Sequence, residues 1–293
     1  MIDPIAIELG PLQIHWYGII IASAVLVAAL LGTRVARMVG EDPDHGWSML
    51  LLVVGLAVVG ARIYHVIHQW EFYFENPALI PQVWNGGIGI PGAIAGGALG
   101  LWLYTRSNRL NTARWLDIFA VPLLLGQAVG RLGNFVNQEL YGPPTTLPWG
   151  IPIDAAHRIG AWMDLNAYPV ETTRFHPLFA YEALLNLVGM VVLLLVIRRF
   201  GHRLFAGDII LGYLIWYGAV RAALETFRTD NWTIAGIPTA MLLGIAAVVV
   251  AGAWLIIRHR RGRGSPLIRP RTDADADEPE PSAAEARPEA SPG

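Results

Sequence analysis

The sequence has no lysine, no cysteine and few charged residues, which make up 15% of its 293 positions. The absence of cysteine excludes a disulfide framework, thiolate metal ligands and a cysteine nucleophile supplied by the chain itself. Every basic side chain other than histidine is an arginine, whose guanidinium group stays charged when it is withdrawn from water. The formal net charge of -2 does not indicate a nucleic-acid partner, because the acidic residues concentrate toward the C-terminus.

Long apolar segments dominate the rest of the chain. Hydrophobic residues account for 54% of the positions, and the mean hydropathy is +0.44. Such values are typical of a polytopic membrane protein. The predicted fold class is therefore all-α, with about seven transmembrane helices. The segments long enough to span a bilayer cover residues 14 to 36, 47 to 68, 88 to 105, 115 to 136, 177 to 198, 207 to 227 and 235 to 257.

The arginines predict the orientation of these helices. If the spans alternate, one side of the membrane carries four arginine groups: Arg34 and Arg37; Arg106, Arg109 and Arg114; Arg198, Arg199 and Arg203; and Arg258, Arg260, Arg261 and Arg263. The positive-inside rule makes this side cytoplasmic. The N-terminus is then predicted outside and the C-terminus inside, which requires an odd number of spans.

The remaining segments define the domain organisation. Residues 1–263 are predicted to form one membrane-embedded domain. Within it, residues 139–175 are rich in proline and glycine and are predicted to form a small extracytoplasmic cap without a core of its own. Residues 264–293 are rich in proline, alanine and acidic residues. This composition predicts a disordered cytoplasmic tail without a catalytic role.

Two rows of small residues predict close helix packing. The third span carries one at GxxxGxxxG spacing, formed by Gly92, Gly96 and Gly100. The fourth span carries another, formed by Gly126, Gly130, Gly133 and Asn137. Small side chains at helical spacing let a second helix backbone come close.

The fourth span becomes polar in the stretch GRLGNFVNQELYG, from Gly130 to Gly142. At the i, i+4, i+7 and i+11 positions of one helix face lie Gln127, Arg131, Asn134 and Gln138. A buried arginine that a carboxylate neutralises for packing alone is one explanation. An ionisable group within a membrane more often marks a ligand or ion path, so we favour a polar cavity.

Three further polar groups lie toward the outer ends of spans: Tyr217, Arg221 and Glu225 at successive i+4 steps, His15 with Tyr17, and Arg62 with His65. Each has a structural explanation. Arg221 can be neutralised by Glu225, and Arg62 can snorkel outward. Tyr17 can belong to an aromatic belt. Together, however, three arginines near one leaflet exceed what packing requires, and guanidinium groups bind phosphate bidentately. They predict a site for an anionic phospholipid headgroup.

The stretch from Gly130 to Gly142 resembles the signature of the bacterial phosphatidylglycerol:prolipoprotein diacylglyceryl transferases, G-R-x-G-N-F-x-N-x-E-x-x-G, and meets each fixed position. The resemblance covers residues 10 to 257. It continues through five further blocks: HWYG (15–18), GARIYHV (60–66), WNGGIGIPGA (84–93), FHPLFAYE (175–182) and YGAVRAALE (217–225).

The resemblance implies a transferase of the bacterial plasma membrane whose active site faces the extracytoplasmic side. Such an enzyme moves the diacylglyceryl group of phosphatidylglycerol to the lipobox cysteine of a preprolipoprotein. A thioether forms and glycerol phosphate is released, as the first step of lipoprotein maturation. The implied partners are phosphatidylglycerol, lipobox signal peptides and the bilayer, with no nucleic acid, metal or cofactor. The nucleophile arrives with the substrate, which agrees with a chain that lacks cysteine.

The resemblance also assigns residues to the site. Arg131 and Arg221 match the family's essential arginines and are expected to bind phosphate and stabilise the leaving group. Tyr217 and Glu225 are expected as further catalytic-site residues. The other residues expected to bind phosphatidylglycerol are Asn134, Glu139, Gly142, Tyr17 and Arg62.

The base that activates the thiol is left open. Many relatives have a histidine in the pattern F-H-G-G, and Pro91 stands at that position here, which excludes a histidine base there. His176 matches a family histidine and is a catalytic candidate, although the family pattern H-P-S-Q-x-Y-E reads HPLFAYE. A thiolate promoted by the local positive field, or His176, ranks above His15 or His65.

Two other classes of protein could use the same arginines. A lipid or anion transporter would bind the headgroup without chemistry, and a lipid-binding scaffold would hold it without turnover. We find no repeat that relates the two halves of the chain, and the polar groups cluster on one side. Both observations disfavour a transporter.

Overall fold

The computed structural model describes residues 5–9, 12–228, 233–262 and 264–269. Their α-helices, in chain order, are α1 (Trp16–Val39), α2 (Pro43–His68), α3 (Trp70–Glu75), α4 (Ile90–Ser107), α5 (Thr112–Val136), α6 (Leu178–Phe200), α7 (Asp208–Glu225) and α8 (Thr239–Arg261). Two antiparallel hairpins pair β1 (Ile5–Leu9) with β2 (Leu12–His15) and β3 (Thr233–Ile234) with β4 (Ile237–Pro238). Short 3-10 turns lie at Pro77–Leu79, Val83–Asn85, Ala155–His157, Gly160–Met163 and Gly201–Arg203.

The long helices correspond to the predicted spans, and the all-α, membrane-embedded fold class is confirmed. In the described ranges, five segments are long and apolar enough to cross a membrane: α1, α2, α5, α8 and Leu178–Arg203, which contains α6. Helices α4 and α7 have 18 residues each, and α4 is rich in glycine while α7 carries charged residues. The count of seven spans and the sidedness of the membrane therefore stay predictions.

Glycines bring α2 and α4 into backbone contact. A Cβ atom on Gly92 would collide with the carbonyl group of Gly60, and one on Gly96 would collide with that of Leu56. Because any larger residue would force the backbones apart, these positions favour glycine strongly. The close packing predicted for the third span is confirmed, with α2 as the partner helix.

Local sequence signals set several helix ends. The Asp42 side chain accepts an amide hydrogen bond in the first turn of α2, where Pro43 occupies the first helical position. Asn111 caps α5 in the same way. Gly40 ends α1 in the left-handed conformation, with a φ of 79°.

The main core lies where α1, α5, α6 and α7 meet, toward their predicted cytoplasmic ends. Trp115 is fully buried there. The adjacent Arg114 forms a buried ion pair with Glu41, at 2.5 Å from Nη1 to Oε1. Asp117 accepts the amides of Gly207 at 2.5 Å and of Ile210 at 2.8 Å, and so caps α7 from the neighbouring helix. These contacts fix the helix register at one end of the bundle.

Residues 264–269 pack against this end of the bundle. Leu267 is fully buried, and its amide donates to the Leu204 carbonyl at 2.9 Å. The Arg269 amide donates to the Val39 carbonyl at 2.8 Å. The predicted start of the tail is therefore too early, because a short apolar segment precedes the acidic composition. The disorder predicted beyond Arg269 concerns residues outside the described part of the chain.

The cap between α5 and α6 has a small core, which corrects the expectation that it lacks one. Tyr141, Ile153 and Phe175 are buried together. The Arg158 guanidinium lies 4.6 Å from the centroid of the Phe175 ring. The Tyr141 hydroxyl donates to the His157 carbonyl at 2.9 Å, and burial raises the pKa of this hydroxyl. The small core of the cap is thus built from aromatic rings and a packed guanidinium group instead of many aliphatic side chains.

Removal of residues 265–293 is expected to destabilise the protein, whereas removal of 270–293 alone is expected to leave its stability unchanged. The longer truncation opens the site of Leu267, whose burial contributes about 1.5–3 kcal/mol. It also takes the Pro266 carbonyl, at 2.9 Å, away from Arg114. Thermal unfolding in one detergent should show Tm lower by roughly 3–10 °C for the longer truncation only. Equal Tm values would contradict this packing role.

Candidate functional site

Arg131 lies near the end of α5, where two side chains hold its guanidinium group. Its Nη2 atom forms an ion pair with Glu182 on α6, and its Nη1 atom donates to Asn134 Oδ1 at 3.1 Å. The Glu182 side chain is only 5% exposed, so the charged carboxylate depends on this partner. Among the described residues, these two bonds use two of the five N–H donors of Arg131. The others are available to a ligand.

Asn134 connects this arginine to Glu139. Its Nδ2 atom donates to Glu139 Oε1 at 2.9 Å, and the Glu139 amide donates to the Asn134 carbonyl at 3.0 Å. The chain turns back because Gln138 has a left-handed φ of 51°. The predicted helical position of Gln138 is therefore wrong: its side chain leaves the polar face and donates to Asp154 in the cap at 2.5 Å.

The polar face of α5 continues inward through Gln127. Its Nε2 atom donates to the hydroxyl of Tyr213 on α7 at 2.9 Å. The Tyr213 ring stacks on Tyr217, with ring centroids 5.8 Å apart and planes 10° apart. Tyr217 therefore lies on the face of α7 that approaches α5, one turn before Arg221.

Arg221 and Glu225 form an i, i+4 ion pair at the end of α7, with 2.8 Å between Nη1 and Oε2. The pair is close but is not aligned as a hydrogen bond, and Nη1 makes no hydrogen bond within the described ranges. Burial and the nearby charge of Arg221 lower the pKa of Arg228, while Glu182 and Glu225 act in the opposite direction. Arg131 lowers the same pKa more weakly.

A cavity of about 570 Å³ opens beside Arg131 and Asn134. Its polar end also includes Tyr17 and Gln127, and its walls are mostly apolar side chains of α1, α2 and α5. The cavity extends along the helices as far as Trp47. A charged end followed by a long apolar channel suits an amphipathic ligand.

The predicted small-residue row of α5 faces α1. A Cβ atom on Gly126 would lie 3.7 Å from Ala28, and one on Gly133 would press against the Tyr17 ring at 2.7 Å. Gly126 and Gly130 also line the cavity. The row therefore admits α1, seats Tyr17 beside Asn134 and leaves room between the helices.

His176 lies at the start of α6, in a short hydrogen-bonded chain. The Tyr181 hydroxyl is 3.1 Å from His176 Nδ1 and accepts a bond from Trp149 Nε1 at 2.7 Å. The Phe227 ring packs edge-on against the imidazole, at 5.7 Å between centroids. The Gly142 amide donates to the His176 carbonyl at 2.8 Å. Gly142 therefore contributes close backbone packing beside this histidine.

Arg62 is the predicted site residue with the most heavily occupied donors. Its guanidinium donates to the carbonyls of Leu79, Ile80, Gly86 and Gly87, at 2.5 to 2.9 Å. Its side chain also stacks on Tyr73, at 5.0 Å from the ring centroid. Arg62 thus holds the loop before α4 in place through hydrogen bonds to its backbone. Its predicted phosphate binding stays a prediction.

The other candidate bases are His65 and His15. His65 packs edge-on against Tyr73, and His15 is exposed at the start of α1. Pro91 occupies the first turn of α4, a position where proline is favoured because that turn needs no amide donor.

Sequence reasoning missed Glu182 and Arg228. Glu182 was visible as a carboxylate in the first turns of an apolar helix, which is a costly position in lipid. Arg228 lies seven residues after Arg221, at helical spacing in the sequence, although α7 itself ends at Glu225. Neither signal predicts which residue pairs with it. Glu182 and its partner Arg131, for example, are 51 residues apart in the chain.

Known proteins show similarity over nearly the whole chain. The family model described as prolipoprotein diacylglyceryl transferase matches residues 4–258. A phosphatidylglycerol–prolipoprotein diacylglyceryl transferase of Chloroflexus aggregans is 42% identical over 280 residues, which cover 90% of this chain and 92% of the relative. Proteins of the same name from Lysinibacillus sphaericus and Streptococcus mutans are 37% and 36% identical, covering 88% and 91% of this chain and 93% and 98% of the relatives. The chain therefore belongs to the prolipoprotein diacylglyceryl transferase family.

Proposed function

We propose that this protein transfers the diacylglyceryl group of phosphatidylglycerol to the lipobox cysteine of a preprolipoprotein. The carrying observation is that Arg131, held by Glu182 and Asn134, lies at the polar end of a long apolar cavity. The names of its relatives support the proposal, since they describe diacylglyceryl transferases of phosphatidylglycerol and prolipoprotein. We place the reaction at the extracytoplasmic side of the bacterial plasma membrane, on the basis of the arginine distribution.

The arrangement of charges suits the departure of a phosphate. When the cysteine sulfur attacks the glycerol carbon, a C–S bond forms and the C–O bond to the phosphate breaks. The electron pair moves to the phosphate oxygen, glycerol phosphate leaves, and the thiol proton is released. Cations fixed in advance around the departing oxygen lower the barrier, because they need no reorganisation during the reaction.

Arg131 is the best-oriented of these cations. Glu182 and Asn134 hold one side of its guanidinium group, and its remaining donors can meet two phosphate oxygens. Arg221 supplies the second cation, with Glu225 as its ion-pair partner. We leave Arg62 out of the proposed phosphate site, because backbone carbonyls occupy its donors.

The cavity accounts for the lipid portion of the substrate. The apolar channel next to Arg131 can take acyl chains while the headgroup remains at the charged end. Tyr17 and Asn134 border this end, and Glu139 positions Asn134. These positions support their proposed roles in headgroup binding.

His176 is better suited to donating a hydrogen bond than to accepting a proton. Trp149 Nε1 can only donate, so the Tyr181 oxygen accepts this bond, and the Tyr181 hydroxyl hydrogen is then available to donate to His176 Nδ1. A neutral imidazole that accepts at Nδ1 carries its hydrogen on Nε2. We therefore propose that the positive field of the arginines, rather than His176, promotes ionisation of the substrate thiol.

Purified protein in detergent is expected to release glycerol phosphate from phosphatidylglycerol in the presence of a lipobox peptide. The control is the same peptide with serine in place of cysteine, which cannot supply a thiolate. Mass spectrometry should detect the cysteine peptide with one added diacylglyceryl group. Folded protein that binds the lipid and yields no product would support a scaffold, and lipid movement without headgroup release would support a transporter.

Arg131→Lys is expected to lower the rate of transfer by roughly 100-fold or more. A lysine ammonium group cannot reproduce the planar fork that binds Glu182, Asn134 and a phosphate together. Arg198→Lys is the matched control, because Arg198 is exposed at the other end of the bundle and should retain full activity. Near-normal turnover of Arg131→Lys would exclude bidentate phosphate binding by this residue.

His176→Asn is expected to lower kcat/KM less than about tenfold and to keep the shape of its pH dependence, since a general base contributes typically 100-fold or more. Tyr181→Phe should have a similar effect, because it removes the bond that orients the same ring. The measurement is kcat/KM for peptide lipidation across the range in which a cysteine thiol, of pKa about 8.5, ionises. A loss, in His176→Asn alone, of the rise in kcat/KM as the pH passes the ordinary imidazole pKa of about 6.5 would identify His176 as the base.

A further inference from the structure

Asn186 lies on α6, one helical turn after Glu182, and is fully buried. Neither its Nδ2 nor its Oδ1 atom has a hydrogen-bond partner in the described part of the chain. A buried amide without a partner costs about 1–3 kcal/mol. Native proteins satisfy nearly all such groups with protein atoms or with ordered water. The Asn186 amide therefore needs a partner that the side chains around it do not supply.

Gln127 on α5 also has a buried polar atom without a hydrogen-bond partner in the described part of the chain. Its Nε2 atom is engaged by Tyr213, but its buried Oε1 atom has no partner within the described ranges. Gln127 lies one turn before Arg131, just as Asn186 lies one turn after Glu182. Because α5 and α6 pack antiparallel and meet at the Arg131–Glu182 pair, the two amides lie at the same level of the helix pair. This level is roughly 5 Å deeper in the bundle than the ion pair.

We infer that one or two internal water molecules bind between α5 and α6, bridging Asn186 and Gln127. A water can accept from Asn186 Nδ2 and donate to Gln127 Oε1, while Asn186 Oδ1 accepts from a water as well. The occupant must both donate and accept and must be small, since Asn186 is completely enclosed. Water meets these requirements, and buried waters usually make about three such bonds. The two amides form no direct bond that would make the water unnecessary.

The water site has a consequence for the reaction, and this part rests on the proposed function. A polar layer directly beneath Glu182 lowers the cost of keeping its carboxylate charged, because fixed dipoles replace part of the lost hydration. A charged Glu182 in turn holds the guanidinium of Arg131 in one orientation. Asn186 is therefore a positioning residue for Arg131, acting through water and Glu182 without touching the substrate.

A double-mutant cycle on thermal stability tests the water site without any substrate. The variants are Asn186→Leu, Gln127→Leu and their combination, and Leu184→Ala on the exposed face of α6 is the control. Each single replacement leaves the other amide without its bridge and should lower Tm. The double variant should have a Tm no lower than that of the less stable single variant, because either replacement alone already removes the shared water bridge. Additive losses, or a higher Tm in Asn186→Leu, would overturn the water site.

Transfer kinetics test the positioning role. Asn186→Leu should lower kcat/KM roughly tenfold, within the range of coupling between residues of one network. Asn186→Ser keeps a polar group and leaves space for a further water, so it should retain most of the activity. Wild-type kcat/KM in folded Asn186→Leu would overturn the positioning role. If the wild-type protein catalysed no transfer, the stability cycle would still decide whether the water site exists.

Discussion

The ion pair between Arg131 and Glu182 is the interaction on which the site depends. Both charges lie within helices of a membrane bundle, where the loss of hydration is large for each of them and their mutual contact offsets much of it. The pair therefore fixes the position along both helix axes at which α5 contacts α6. Asn134 and Glu139 extend the same network toward the cap. Removal of either partner would leave an uncompensated charge and a misplaced helix end.

Small residues have two different structural roles in the same helix bundle. Between α2 and α4 they bring the backbones into contact, since Gly92 and Gly96 leave no space for a Cβ atom. On α5, Gly126 and Gly130 border a cavity that α1 only partly fills. Both rows begin with two glycines four residues apart, but the opposing surface differs. A helix-packing motif therefore predicts that another helix lies close by. It does not predict whether the two helices pack directly or leave a cavity between them.

The sequence was sufficient for the helices and for the residues of the signature, because periodicity and composition are local properties. It failed at Gln138, where a left-handed residue after the helix end redirects the side chain into the cap. It failed at residues 264–269, whose few apolar side chains matter only because a pocket exists for Leu267. Glu182 could be suspected but not paired, since its partner is distant in the chain. Contacts of this kind depend on the assembled helices.

The arginines show how a chain without lysine separates structure from binding. Arg62 directs its donors to backbone carbonyls, and Arg114 is held by Glu41 and the Pro266 carbonyl. Neither residue lines the cavity, although the Arg114 Nε atom has no hydrogen-bond partner in the described part of the chain. Arg131 keeps donors beyond those its two partners engage, and it borders the cavity. Arg114 likewise engages two of its five donors within the described ranges, so contact with the cavity distinguishes Arg131 from a structural arginine better than the number of donors left over.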